Sequence, residues 1–105
     1  MILVEVTRNV TNEIVAVTVS GHANYDVKGQ DIVCSAVSTA TYVSIGLLNK
    51  MKVQHKFAED GNKPEMKITV QPTVLSSQIL ENLIDTFTGI QIEYSKFIKI
   101  IEKRR

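Results

Sequence analysis

The chain has 105 residues, the size of one domain, and its 44% hydrophobic content can fill one ordinary two-layer core. Charged residues at 22%, with five Gly and two Pro, exclude a disordered or collagen-like polymer. A net charge of +1 argues against a dedicated nucleic-acid or polybasic membrane binder, and a single Cys excludes an internal disulfide.

The first segment alternates, with Ile2, Val4 and Val6 on one side and Leu3, Glu5 and Thr7 on the other, which is the period of a strand. Asn9 to Glu13 turns the chain. A second run places Val15, Val17 and Val19 on one face, so the two segments form a hairpin that ends at Gly21. The first ten residues, MILVEVTRNV, lack the basic start and small-residue cleavage site of a signal peptide.

After a polar loop, Val33, Ala36, Val37, Ala40, Ser44, Leu47 and Leu48 recur at helical spacing behind Asp31. The opposite side (Ile32, Ser35, Thr39, Tyr42 and Ile45) carries no charge, so this helix is expected to be covered on more than one side, by its own loops or by a partner subunit. Ile32 to Asn49 holds no Asp, Glu, Lys or Arg. Its Ser35, Ser38, Thr39, Thr41, Ser44 and Asn49 make it too polar for a membrane span. The expectation is a soluble, cytoplasmic protein.

Val53, His55 and Phe57 alternate in a third strand, and Met66, Ile68 and Val70 in a fourth, joined through the turn EDGNKP. From about Ser76, the positions Ile79, Leu80, Leu83, Ile84 and Phe87 mark an amphipathic helix. Lys96 to Glu102 reads as a last strand before the basic terminus Lys103-Arg104-Arg105, which is either a solvated face or a weak attraction to ribosomal or RNA surfaces. The order is ββαββαβ, which predicts an α+β two-layer sandwich: a mainly antiparallel sheet with two helices on one face.

The chemistry concentrates between Gly21 and Ser38. The only cysteine, Cys34, falls in the first turn of the first helix if Asp31 is the N-cap, and the positive end of the helix dipole there favours a thiolate. A lone cysteine on an apolar helix is otherwise core filler. His22, twelve residues earlier, ends a strand that returns to that helix start. It either bonds a nearby carbonyl or takes the thiol proton and passes it to a leaving amine. Asp31 is a helix cap or a carboxylate that orients His22, with Asp26 a weaker candidate for that orienting role.

The Ser35 backbone N–H, next after the thiol, is a natural oxyanion donor. Gly21 and Gly29 flank a loop read either as turn chemistry or as a lid, and Tyr25 either anchors that loop or lines a substrate groove. His55 reads as a core or edge histidine. One Cys and two His argue against a four-ligand zinc site.

The combined pattern Gly21-His22-Ala23, Gly29, Asp31-Ile32-Val33-Cys34 and Ala36-Val37-Ser38 resembles the ribosomal-processing cysteine protease family, Prp. The length and element order fit that family over all 105 residues, as one cysteine-protease domain. Ser35 stands where Ala is more usual, which leaves the backbone donor intact.

The resemblance implies a cytoplasmic, homodimeric endopeptidase. Its substrate is the short N-terminal extension of large-subunit ribosomal protein twenty-seven, cut after an aromatic pair and before a small residue. It places the nucleophile on Cys34, the catalytic histidine on His22, the motif aspartate on Asp31, and a substrate-binding loop on Ala23 to Gln30. No metal or cofactor, no membrane and no direct nucleic-acid contact are implied. The alternative is a non-catalytic ribosome-assembly factor that binds a ribosomal protein tail in the same groove.

Overall fold

The computed structural model describes residues 1–21, 30–60 and 62–105. The elements are β1 (Ile2–Arg8), β2 (Ile14–Ser20), α1 (Gln30–Lys50), β3 (His55–Asp60), β4 (Glu65–Val70), α2 (Val74–Glu93) and β5 (Ile98–Arg104), in the expected ββαββαβ order. They form one five-stranded sheet in the order β3-β4-β2-β1-β5. All pairs are antiparallel except β1 with β5, which run parallel. The second ββα half thus brings β4 against β2, and β5 closes the far side.

Strand alternation sets the layers. Val4 pairs with Val19 and Val6 with Val17, and Val19 and Val17 in turn pair with Met66 and Ile68. This face is covered by Val33, Val37 and Leu48 of α1 and by Leu80, Leu83 and Phe87 of α2, all buried in one apolar cluster. The other face carries half-exposed Leu3, Glu5 and Thr7 and exposed Lys67 and Lys99. The result is the two-layer α+β sandwich that the pattern predicts.

One residue of β2 departs from strict alternation. The register slips between Thr7 and Arg8, so that Thr7 faces Ala16 but Arg8 faces Ile14. Val15 is the extra residue of this bulge. Beyond it the faces exchange: Ile14, not Val15, joins Val17 and Val19 in the core cluster. In α1, Leu47 is 40% exposed rather than part of the buried stripe, and Thr41 is fully buried in its place. The Thr41 hydroxyl is satisfied by donating to the Val37 carbonyl at 2.8 Å.

By length and composition Ile32–Lys50 resembles a membrane span, with mean hydropathy 1.5. Its apolar residues on one side instead form the core of the sandwich.

The helix α2 begins at Val74, earlier than periodicity alone suggests, because Thr73 caps it. The Thr73 hydroxyl accepts from the Ser76 N–H at 3.0 Å, and the Ser76 hydroxyl accepts from the Thr73 N–H at 2.8 Å. The last strand runs on through Arg104, so Lys103 and Arg104 belong to the sheet, opposite Thr7 and Arg8.

Arg8 ties three elements together. Its guanidinium donates to both carboxylate oxygens of Glu81 on α2, at 2.6 and 3.0 Å, and through Nε to Glu102 on β5 at 2.8 Å. Hydrogen bonding from Arg8 lowers the Glu81 pKa below its ordinary 4.5. A depressed carboxylate pKa contributes stability that is complete above pH 4.5 and is lost as pH falls through the lowered folded value.

Glu81→Gln is therefore expected to lower the thermal midpoint at pH 7 by roughly 5 °C. That corresponds to about 1 kcal/mol after allowing for the solvent exposure of the carboxylate. Melting both proteins from pH 7 down to pH 3 should show the gap closing below pH 4.5. A gap that stays constant over that range would mean that the carboxylate charge contributes nothing.

Candidate active site

Cys34 lies five residues into α1, because the helix begins at Gln30 and not after Asp31. Asp31 is consequently a first-turn residue rather than the N-cap, and Gln30 belongs to the helix rather than to the loop. A carboxylate in the first turn still lies at the positive end of the dipole. The free N–H groups at this end are those of Gln30, Asp31 and Ile32. The Ser35 N–H falls in the regular part of the helix, where it donates to the Asp31 carbonyl. It can serve an oxyanion only if that bond opens.

The thiol is half-buried and opens on a cleft of about 430 Å³. Three elements build the cleft. The inner wall is Ile2, Val19 and Met66, at the ends of β1 and β2 and the start of β4. One flank of α1 supplies Cys34, Val37, Ser38 and Tyr42, and the β3–β4 hairpin supplies Glu59, Asp60, Lys63, Pro64 and Glu65. The floor is apolar and the rim carries more carboxylates than cations. Asp60 is engaged in the hairpin itself, accepting the Asn62 N–H at 2.8 Å.

Gly21 also lines this cleft. Its φ of +84° is a left-handed conformation, so it is more than an ordinary loop boundary. His22, Ala23, Tyr25, Asp26 and Gly29 lie outside the described residues, as does the side chain of Asp31. His55 stands at the opposite end of β3 from Glu59 and Asp60, with its ring Nδ1 2.8 Å from the Val53 carbonyl, and takes no part in the cleft. Among the described residues no cluster of His, Cys, Asp and Glu is placed to hold a metal ion.

The hairpin wall and Tyr42 are the parts of the cleft that sequence reasoning missed. Tyr42 donates a hydrogen bond to the Glu59 carboxylate across the cleft, which raises the pKa of its phenol. Its ring meets Phe57 edge to face, with centroids 6.1 Å apart. The signal available in sequence was the spacing Cys34, Ser38, Tyr42, which puts all three on one helical flank.

Comparison with known proteins gives this arrangement its class. The chain superposes with a TM-score of 0.91 on a Staphylococcus aureus ribosomal processing protease Prp solved in complex with a substrate peptide. That match is 23% identical and covers 98% of this chain and all of the other. A Streptococcus mutans protein, SMU.848, has the same fold with a TM-score of 0.88 at 21% identity, over 100% of this chain and 99% of its own. These two matches show the fold, and sequence relatives supply the class: the chain is a cysteine protease.

More particularly, it belongs to the Prp family. The family model for cysteine protease Prp matches residues 1–99. The ribosomal processing cysteine protease Prp of Mycoplasma pneumoniae is 34% identical over 91 residues, 84% of this chain and 87% of that protein.

Proposed function

We propose that the chain is the endopeptidase that removes the N-terminal extension of large-subunit ribosomal protein twenty-seven, with Cys34 as nucleophile and His22 as its acid–base partner. The observation that carries this reading is the placement of the only cysteine, half-buried and facing a peptide-sized cleft near the head of α1. Relatives named for ribosomal processing, one of them solved with a substrate peptide, support the choice of substrate.

The substrate enters in extended form. β3 is an edge strand of the sheet and contributes Glu59 and Asp60 to the cleft, so a peptide can pair there while its aromatic side chains enter the apolar floor. The Cys34 sulfur attacks the scissile carbonyl carbon, and the oxyanion is held at the amino end of α1. The C–N bond then breaks as His22 gives the former thiol proton to the departing amine. Water, deprotonated by His22, hydrolyses the thioester and restores the thiol. Asp31 is the carboxylate closest in sequence to this centre and is the candidate to orient His22.

The enzyme works in the cytoplasm as a homodimer. The solvent side of α1 supports the second subunit: Ile32, Val43 and Leu47 are all exposed, and Thr39 lies between them on one stripe that meets no charge before Lys50 in the last turn. Val43→Glu is expected to reduce the mass in sedimentation from twice 11.7 kDa to 11.7 kDa. Wild-type protein that sediments as a monomer at micromolar concentration would remove the dimer from this proposal.

The test of the whole reading is incubation of the chain with a synthetic peptide that carries the sequence of the extension. Cleavage at the aromatic–small bond is expected. A peptide that binds and is not cut would point instead to a binding factor.

A further inference from the structure

We infer that Tyr42 is a specificity-determining residue, which holds a bulky apolar side chain of the substrate three to four residues away from the scissile bond. The inference rests on the reading of Cys34 as the nucleophile and extends it to the remote end of the same cleft.

Cys34, Ser38 and Tyr42 follow one another at intervals of four on the flank of α1 that lines the cleft. Eight residues of helix rise about 12 Å. An extended peptide advances about 3.3 Å per residue, so about 12 Å corresponds to between three and four substrate residues. With the scissile carbonyl at Cys34, a peptide lying along α1 brings a side chain to Tyr42 that takes no part in the reaction. Bound along the opposite wall, the same stretch passes Pro64 of the β3–β4 hairpin.

The tyrosine is prepared for this contact. Its side chain is 48% exposed, yet it is fixed at both ends of the ring. The hydroxyl is tethered to Glu59, and the ring edge rests against Phe57 at an interplanar angle of 72°. A ring already held in place loses little conformational entropy when a ligand packs on it. Apolar neighbours in the cleft, Val37 and Pro64, make an aromatic or branched aliphatic side chain the matching partner. Binding energy gathered at such a distance selects the peptide without touching the reacting atoms.

The test is a double-mutant cycle between the enzyme and its peptide. Each residue of the extension peptide, on both sides of the cleaved bond, is replaced in turn by Ala, and kcat/KM is measured with wild type, Tyr42→Ala and Tyr42→Phe. For one peptide position three to four residues from the bond, the Ala peptide and Tyr42→Ala should each lose about tenfold, and the two together no more than either alone. The loss should lie in KM, with kcat within about twofold, and Tyr42→Phe, which keeps the ring and loses the tether to Glu59, should fall between wild type and Tyr42→Ala.

Additive losses at every position, or an equal fall in kcat for all peptides, would overturn the assignment while leaving the protease reading intact. Should the wild type cleave no peptide, the proposed substrate fails, and the same cycle is measured as peptide binding by fluorescence anisotropy. Additive affinities there would overturn the role of Tyr42 as well. Because Tyr42 is half-exposed, melting curves of both variants are expected to match the wild type.

Discussion

Replacing Cys34 by Ala is expected to lower kcat for the extension peptide by on the order of ten-thousand-fold or more, with the peptide still bound. The size of the effect follows from the chemistry. Without sulfur no thioester forms, and what remains is the cleft acting on water. The fold should barely register the change, since a half-buried thiol on the wall of an open cleft leaves little cavity when truncated. His22→Ala is expected to lose activity to a similar extent. The double variant should be no worse than either single one, because groups that act as a unit are strongly non-additive.

That non-additivity is the observation that joins His22 to Cys34 functionally. Iodoacetamide treatment of the native protein should abolish cleavage in step with modification of Cys34, which is the only thiol present. Full activity in Cys34→Ala would remove the residue from the mechanism.

Periodicity makes the layers legible in the sequence, because burial on one face of a strand or helix writes itself into every second or every third to fourth residue. Ile79, Leu80, Leu83, Ile84 and Phe87 are buried as the α2 pattern predicts. The bulge at Val15 was not legible, since it is a property of the pairing between Thr7 and Arg8 on one strand and Ile14 and Ala16 on the other. The far wall of the cleft escaped for a similar reason. Glu59 to Pro64 read as an ordinary hairpin turn, and only the pairing of β4 with β2, across more than forty residues of sequence, swings that turn beside α1.

Tyr42 looked like one more residue on an uncharged helix face. Its hydroxyl partner lies on β3, seventeen residues away, and no helical spacing reports such a contact. By contrast, Cys34 and its neighbours were readable because their chemistry is local. The motif compresses a strand end, a glycine and a helix start into eighteen residues.

Gly21→Ala should come close to unfolding the protein, and the reason lies in the backbone. The residue ends the approach from β2 with φ at +84°, a conformation that costs an L-residue about 1–2 kcal/mol. An added Cβ would also sit 2.4 Å from the carbonyl oxygen of Met1, 3.4 Å from its carbon and 3.7 Å from the Ile2 Cα. All three are main-chain atoms, so no side chain can rotate away. Nor can β1 withdraw freely, because Ile2 is 2% exposed and its N–H donates to the Phe97 carbonyl at 2.8 Å.

Relieving the overlap therefore means shifting the start of β1 against β2 and β5 together. Strain and overpacking together are expected to cost about 2–5 kcal/mol, a large share of the roughly 5–15 kcal/mol that stabilises a domain. Gly89→Ala is the control. It lies on α2 with open space around its would-be Cβ and should stabilise by about 1 kcal/mol.

Urea titration of the two variants separates these outcomes. A Gly21→Ala midpoint near that of the wild type would show that β1 yields at its first residue. Because Gly21 also lines the cleft, any folded fraction of that variant should cleave peptide poorly. The same close approach that locks β1 to β2 also shapes the floor beside Cys34.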